Sequence, residues 1–366
     1  MRVAVVCEPR LRDGDASRAS RQRLAARDAG AELHVLAAPA PFLARRHGRA
    51  RPWSTAWAAA SLALALRRLG GNGFDLIHAQ DATAGAVARR ALRVLPGTGA
   101  PLVVSVDGED VLRATRSHGA GAEDLARTLR AATLTLASSS GIAALASAQG
   151  ARATHVVHPG ADLPQRPSAV RLELPTLVTV GELLPRKRHA DVVRALAVLS
   201  DRHPTLRYTI VGDGPERAAL EALALRLGVV ERVQLLGRLE PRLAIERART
   251  GTLFVMPSTE EAFGLAYIEA MAAGVPALGC RGEPGPEEIA AAGAGFVLVP
   301  PGDIERLSQR IDELLSDRER LLAEGRHARE TVAACFTWEQ CGRETVSAYE
   351  EALRRAARRW RPAACA

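Results

Sequence analysis

Lysine is almost missing from this chain. Of 49 basic residues one is lysine, Lys187, and the rest are arginine, a skew that coding preference explains without a functional reading. Aromatic residues make up only 4%, and no RNP, zinc-finger or basic-helix pattern occurs. Despite a formal net charge of +8, nucleic acid is therefore not the expected partner. The five cysteines, Cys7, Cys280, Cys335, Cys341 and Cys365, are odd in number and lack CxxC or zinc-ligand spacing. That argues against a disulfide framework or a zinc site and points to thiols in the reducing cytoplasm. Long hydrophobic runs are also absent, since the stretch from Ala56 to Leu66 falls well short of the ~18–20 residues that cross a bilayer. Met1 to Cys7 is basic and then apolar, but it stops at Glu8-Pro9 without a cleavage site, which reads as a first buried strand.

What is present is the composition of a globular protein, 47% hydrophobic and 25% charged over 366 residues, enough for about two domains. Charge is lopsided. Up to Arg166 there are 22 arginines and 13 acidic residues, and after it 27 basic and 28 acidic, so an acidic partner would meet the N-terminal half. Short β-branched runs at Val3–Val6, Glu32–Leu36, Leu76–His78, Leu102–Val106, Thr133–Ala137 and His155–Val157 alternate with Ala/Leu/Arg-rich helical stretches. This is the rhythm of βα units on a parallel sheet. A proline-bearing segment, Pro159 to Pro175, interrupts it and reads as a linker. The rhythm then restarts with strands at Leu177–Val180, Arg207–Val211, Val233–Leu235, Leu253–Met256, Ala277–Leu278 and Phe296–Val299. Helices are expected at Ala190–Arg202, Glu216–Leu227 and Leu265–Ala273. Further helical patterns follow at Ile304–Leu315, Arg318–Ala334 and Trp338–Trp360, the last ending in Arg354-Arg355 and Arg358-Arg359. No internal repeat has a fixed period. Two doubly wound α/β domains fit best, with ligands expected at the carboxyl ends of the strands and in the cleft between the domains.

Three segments carry chemistry. Val180-Gly181-Glu182-Leu183-Leu184-Pro185-Arg186-Lys187-Arg188 follows a strand and precedes a helix. Its glycine allows close approach and its successive cations suit a diphosphate, although a solvated basic loop reads the same way. Val211-Gly212-Asp213-Gly214-Pro215 is a second glycine turn before a helix, incomplete as a dinucleotide fingerprint. The third runs from Met256-Pro257-Ser258 through Glu261-Ala262-Phe263-Gly264-Leu265 to Glu269-Ala270-Met271-Ala272-Ala273-Gly274. There a helix starting near Gly264 and Leu265 offers free N–H groups, with Glu261 before it and Glu269 within it. Taken singly, each carboxylate also reads as a solvated helix-start residue.

With Glu261 and Glu269 set in E-x-F-G-L-x-x-x-E-A-M-A-A-G, this segment resembles the E-x7-E signature of the retaining nucleotide-sugar glycosyltransferases of family 4, which have the GT-B fold. Gly282-Glu283-Pro284-Gly285-Pro286-Glu287-Glu288-Ile289, Gly295 to Asp303 and Phe336-Thr337-Trp338 follow in the family's order. The resemblance covers Leu177 to Trp338 and thins in the first 160 residues, where Asp75 to Ala79 and His158 to Asp162 are its clearest traces. It implies two Rossmann-like domains, an acceptor domain at 1–165 and a donor domain at 166–339, with a final helix at about 340–366 packing back on the first. Glu261 would bond donor-sugar hydroxyls, Glu269 the nucleotide ribose, and Lys187 the diphosphate. The amides near Gly264 and Leu265 would assist, and Leu236, Gly237 and Arg238 would recognise the base. Gly181, Arg186, Arg188, Gly212, Ser258 and Phe263 complete the implied donor site.

The implied reaction moves a hexosyl group from a nucleoside diphosphate sugar to an acceptor hydroxyl with retention, the leaving diphosphate helping to deprotonate the acceptor. No metal or other cofactor is expected, since cations of the protein can stabilise the charge on the departing diphosphate. Three departures from the family stand out. Glu182 occupies a position that often holds arginine, Asp107 one that often holds histidine near the sugar and acceptor, and Gly-Gly after the first strand is replaced by Asp13-Gly14-Asp15. Asp107 is accordingly a candidate catalytic group on the acceptor side. The first two departures also keep open a catalytically silent GT-B protein that binds a nucleotide or glycan, and the fold alone a sugar-nucleotide epimerase. Finally, Phe42 to Trp53, with Arg45, Arg46, Arg49 and Arg51, leads into an apolar helix reaching Leu66. It reads either as a peripheral contact with an anionic inner-membrane face or as a helix packed on its own sheet beside solvated arginines.

Overall fold

A strand that is apolar at every position is stable only when both its faces are covered, and Val3 to Cys7 are all fully buried. They belong to the first of two compact units, Met1–Pro159 with Trp338–Ala366, the second being Gly160–Thr337. The computed structural model describes residues 1–7, 17–37, 52–69, 73–94, 99–106, 108–116, 119–168 and 173–360.

In the first unit the chain runs β1 (Arg2–Cys7), α1 (Arg18–Asp28), β2 (Glu32–Ala37), α2 (Pro52–Leu69), β3 (Leu76–Ala79), α3 (Ala82–Val94), β4 (Leu102–Val106), α4 (Glu109–Arg116), α5 (Ala120–Ala131), β5 (Leu134–Ala137), α6 (Ser140–Ala148) and β6 (Thr154–Val156). The described strands form one parallel sheet in the order β2-β1-β3-β4-β5-β6. On one face Ala58, Leu62 and Leu66 of α2 pack with Ala4, Val6 and Ile77, so the apolar side of that helix covers its own sheet. Trp57 and Leu64 face outward, 63% and 49% exposed. The basic segment from Phe42 to Arg51 lies outside the described residues, as do Asp13 to Asp15. Among the described residues no helix is long and apolar enough to cross a membrane.

The second unit continues with β7 (Thr176–Val180), α7 (His189–Val198), β8 (Arg207–Val211), α8 (Arg217–Arg226), β9 (Val233–Leu235), α9 (Pro241–Arg249), β10 (Leu253–Val255), α10 (Leu265–Met271), β11 (Ala277–Cys280), α11 (Pro284–Ala292), β12 (Phe296–Val299), α12 (Ile304–Ser316) and α13 (Arg318–Cys335). Its parallel sheet has the order β12-β11-β10-β7-β8-β9. The chain builds outward from β7 to β9, then outward on the other side from β10 to β12, so the strand order reverses between β7 and β10. That reversal is where an open α/β sheet leaves room for a ligand at its carboxyl edge. Asp303 and Asp317 fix the starts of α12 and α13, their carboxylates accepting from Arg306 N at 2.8 Å and Arg320 N at 2.9 Å, the expected N-cap chemistry.

After α13 the chain re-enters the first unit as α14 (Trp338–Trp360). Cys341, Ala348, Tyr349 and Ala352 join Val3, Val5, Leu76 and Leu134 in one core cluster. Tyr349 Oη also lies 2.8 Å from buried His78 Nδ1, whose other nitrogen meets Ser105 Oγ at 2.8 Å. Burial, with the charge of Arg23 adding to it, pushes His78 down to about 3.

Two details differ from the sequence expectation. The segment expected as a linker is bonded to the second unit from its start: Ala161 N donates to Phe336 O at 2.8 Å, Arg329 to Pro164 O at 2.7 Å, and Ser168 N to Ala273 O at 2.8 Å. And α9 follows β9 where only a connection was expected. Its nine residues include three arginines, and of them only Ala248 is fully buried, so it shows almost no apolar face to read.

Candidate functional site

Each strand at the reversal ends in a loop that hydrogen bonds tie to its neighbours. Gly181 N donates to Val211 O and Gly212 N to Gly237 O, both at 2.9 Å, while Leu183 N donates to Asp213 O at 3.1 Å. A Cβ on Gly212, at φ +146°, would lie 1.9 Å from Gly181 O; only a residue without a side chain lets the loops after β7 and β8 touch. Pro185 starts a short 3-10 turn, Pro185–Lys187, which stops at Arg188 in the left-handed region at φ 56°. Arg188 is held there by its own side chain, whose Nε donates to Asp191 Oδ2 at 2.6 Å in the first turn of α7. Arg186 is half-buried, and its carbonyl accepts from Thr259 N at 2.8 Å.

With that turn fixed, Lys187 Nζ reaches Glu261 Oε2 at 2.5 Å, and each side chain is 11% exposed. Ser258, fully buried in the loop three residues after β10, donates from Oγ to the same oxygen at 2.9 Å. Tyr267 Oη lies 3.2 Å from Ser258 Oγ and donates to Met256 O. Burial, and next the charge of Glu261, raise the Tyr267 hydroxyl well above its ordinary range, so it remains a donor. Glu261 Oε1 has no hydrogen-bond donor among the described residues. The arrangement is therefore one carboxylate oxygen neutralised by an ammonium and a hydroxyl, and a second able to accept from a ligand hydroxyl.

The loop that carries Glu261 is itself held from behind. Its N–H donates to Glu283 Oε2 at 3.0 Å, and Gly285 N donates to Glu261 O at 3.1 Å. Glu260 takes the left-handed conformation at φ 59°, a cost of about 1 kcal/mol or more for a residue with a Cβ, offset by bonds to Glu283. Burial raises the Glu283 carboxyl; the backbone N–H groups of Glu261 and Glu260 oppose that shift, and the charges of the same two residues reinforce it. Glu283 and Tyr267 are positioning residues that the sequence reading passed over inside longer motifs. The E-P pair at the start of α11 is the local signal for Glu283, since a carboxylate just before a proline-started helix sits where it can turn toward backbone N–H groups.

The remaining sequence candidates fall into distinct places. Gly264 caps α10 at φ +88°, where a Cβ would meet the Tyr267 ring at 2.3 Å. Leu265 begins that helix, and Glu269 is half-buried on it, outside the Lys187–Ser258–Glu261 cluster. Phe263 is 3% exposed and packs edge-on against Phe336 with ring centroids 5.6 Å apart, so its side chain belongs to the core. Gly237 takes φ +72° and Arg238 beside it is exposed. Glu182 is exposed too, so its carboxylate does not enter the cluster; its carbonyl oxygen lies 3.0 Å from His189 Nε2. Burial, reinforced by Lys187, pushes His189 down to about 4, leaving it neutral near pH 7. Asp107 lies outside the described residues. Among the described residues no three His, Cys, Asp or Glu side chains converge as they would on a metal ion.

Comparison with known proteins bears on this site. Residues 16–165 match the family model for Glycosyltransferase Family 4, and residues 164–331 that for Glycosyl transferases group 1. A D-inositol 3-phosphate glycosyltransferase of Nocardia farcinica is 36% identical over 216 residues, 54% of this chain and 47% of that protein. The chain spans about half or less of the length of the curated relatives it matches. Among solved structures, a sucrose-phosphate synthase from Thermosynechococcus elongatus superposes with TM-score 0.75 at 19% identity, covering 96% of this chain and 98% of the other. Anabaena HepE, solved with UDP-glucose, gives the same TM-score and identity, with 96% and 100% covered. Two six-stranded parallel sheets with flanking helices are the GT-B arrangement of these structures. With the two family models meeting end to end across residues 16–331, the chain belongs to the GT-B glycosyltransferases of family 4, group 1.

Proposed function

We propose that this chain transfers a hexosyl group from a nucleoside diphosphate sugar to an acceptor hydroxyl, with retention at the anomeric carbon. The observation that carries the reading is the Lys187–Glu261 pair, completed by Ser258, at the carboxyl ends of β7 and β10 where the strand order reverses. A cation and a hydroxyl acceptor are thereby set side by side, as a diphosphate joined to a sugar requires. Lys187 would turn its ammonium to the diphosphate, and Glu261 Oε1 would take a sugar hydroxyl. Glu269 would hold the ribose, the Gly264 and Leu265 amides the phosphate, and Gly237 and Arg238 the base. The bond from the anomeric carbon to the diphosphate oxygen breaks as the acceptor oxygen bonds on the same face, and the acceptor's proton passes to the departing diphosphate. The UDP-glucose held by the Anabaena protein and the glycosyl transfer named for the Nocardia relative support this donor class.

We assign acceptor recognition to the arginine-rich first unit. Trp57 and Leu64, exposed on the outer side of α2, supply the apolar part of a contact between that unit and an anionic lipid surface.

The test is calorimetric titration of UDP, GDP, ADP and dTDP, followed by a donor-sugar screen with the product's anomeric configuration read by NMR. One nucleotide should bind selectively, with Lys187→Ala weakening it about ten- to hundredfold. Glu261→Gln should lower transfer by about a hundredfold or more with little change in nucleotide affinity. An intact chain that binds none of the four nucleotides overturns the reading.

A further inference from the structure

The arginines that end the chain's last helix have no part in the donor site. Glu351, Arg354, Arg355 and Arg358 lie at successive i, i+3, i+4 and i+7 positions of α14 and so share one side of it. With Thr133 and Arg152 they line a cavity of about 370 Å³. Thr133 immediately precedes β5 and Arg152 shortly precedes β6. In a parallel sheet both therefore mark the amino ends of the strands, the opposite edge from the carboxyl ends where a substrate of this fold is expected.

The cavity gathers more positive charge than it balances. Its one carboxylate, Glu351, is already bonded by His155 Nδ1 at 2.8 Å and Arg355 Nη2 at 2.7 Å. Arg354 has a loose exposed pairing with Glu350 at 3.6 Å. Among the described residues Arg152 and Arg358 make no ion pair. Basic residues in the last turns of a helix are ordinarily explained by the helix dipole. That accounts for Arg354 and Arg358, but not for Arg152, which comes from the turn before β6 and lines the same cavity. Guanidiniums converging from two elements repel one another, and a bound anion removes that cost. The volume exceeds what one carboxylate fills, and the planar N–H forks match phosphate oxygens in pairs.

We propose that this cavity binds a phosphate-bearing anion of about diphosphate size, carried by a free molecule or by a lipid headgroup, at a site separate from donor binding. Inorganic pyrophosphate is the probe for the first source. It is titrated calorimetrically into the full chain carrying Lys187→Ala, which removes the donor-loop cation paired with Glu261, with and without Arg152→Ala/Arg358→Ala. Vesicles of phosphatidylcholine with and without phosphatidylglycerol, in a sedimentation assay, probe the second. Neither arginine has an ion pair to lose, so circular dichroism should be unchanged in the variant. Saturable pyrophosphate binding weakened about ten- to hundredfold by the double substitution supports the site and a free phosphate ligand. Sedimentation that needs phosphatidylglycerol and is lost in the variant supports the site and a lipid headgroup. Arg242→Ala/Arg247→Ala, an equal charge change in the second unit, should leave both signals intact. The proposal is overturned if neither probe binds, if Arg152→Ala/Arg358→Ala binds as well as its parent, or if the control pair weakens binding equally.

Discussion

Lys187 and Glu261 are each nearly buried, and each would be costly to leave alone. Removing one partner of such a pair strands a charge, at a cost of about 3 kcal/mol, whereas removing both is close to neutral. Lys187→Met should therefore lower the urea midpoint of the second unit clearly, and Lys187→Met/Glu261→Gln should restore most of the loss while remaining inactive. Equal midpoints for the single variant and the parent would mean that the pair is not formed in solution. His189, beside the same loop, supplies a pH signature. Its folded value is depressed to about 4 from 6.5, so between those values the unfolded chain holds a proton that the folded chain refuses. Stability is then complete above pH 6.5 and falls as pH drops toward 4, by about 3 kcal/mol for this group. His78 adds a loss of the same sign in the first unit. Urea midpoints measured from pH 7 to pH 4 should show a shallower decline for His189→Gln in the second unit; an unchanged slope would show that the imidazole does not stay neutral there.

At the scale of elements, the loops after β7, β8 and β9 depend on closeness that one atom decides. Gly212→Ala places a Cβ 1.9 Å from Gly181 O at a positive φ, and the loops must part, costing about 3 kcal/mol or more. Gly228→Ala also has a positive φ, 69°, but nothing within 4 Å, and should cost only about 1 kcal/mol. Thermal melts of the two variants separate contact from backbone strain; similar losses would contradict the close approach. The same distinction explains what was legible beforehand. Buried parallel strands announce themselves as apolar runs, so β7, β8 and β12 emerge almost to the residue. Lys187 and Glu261 stand out because each belongs to a short string between a strand and a helix, and the structure brings the two side chains together. Glu283 acts through backbone N–H groups 22 and 23 positions away, a relation with no periodic trace. The α9 helix was invisible for another reason, since its propensity is helical but it hides almost no apolar surface. The stretch after Pro159 reads as a linker because its ties to Phe336 O, the Arg329 guanidinium and Ala273 O all run through its own backbone groups, which the pattern of its side chains does not report.

The largest-scale feature of the chain is its return: 29 residues, Trp338–Ala366, belong with a unit whose other part ends at Pro159. The sheet face that α14 covers holds Val3, Val5, Leu76 and Leu134, all fully buried, and apolar area of that kind is worth about 25 cal/mol per Å² removed from water. Without α14 that face would lie open, and His78, on the same side of β3 as Leu76, would lose the Tyr349 hydroxyl. Tyr349→Phe isolates the second effect. It keeps the ring, which meets His78 edge-on at 5.4 Å, and removes only the bond to Nδ1, a loss of about 1–2 kcal/mol. Ending the chain at Thr337 should do far more, but selectively. In hydrogen exchange read by mass spectrometry, β1, β3 and β4 should lose protection in the truncated chain, while β7, β8 and β10 keep theirs, because the core of the second unit draws on nothing after Thr337. Protection lost equally in both sets of strands would show that the second unit cannot hold its fold alone. Protection kept in both would show that α14 is dispensable to the sheet it covers.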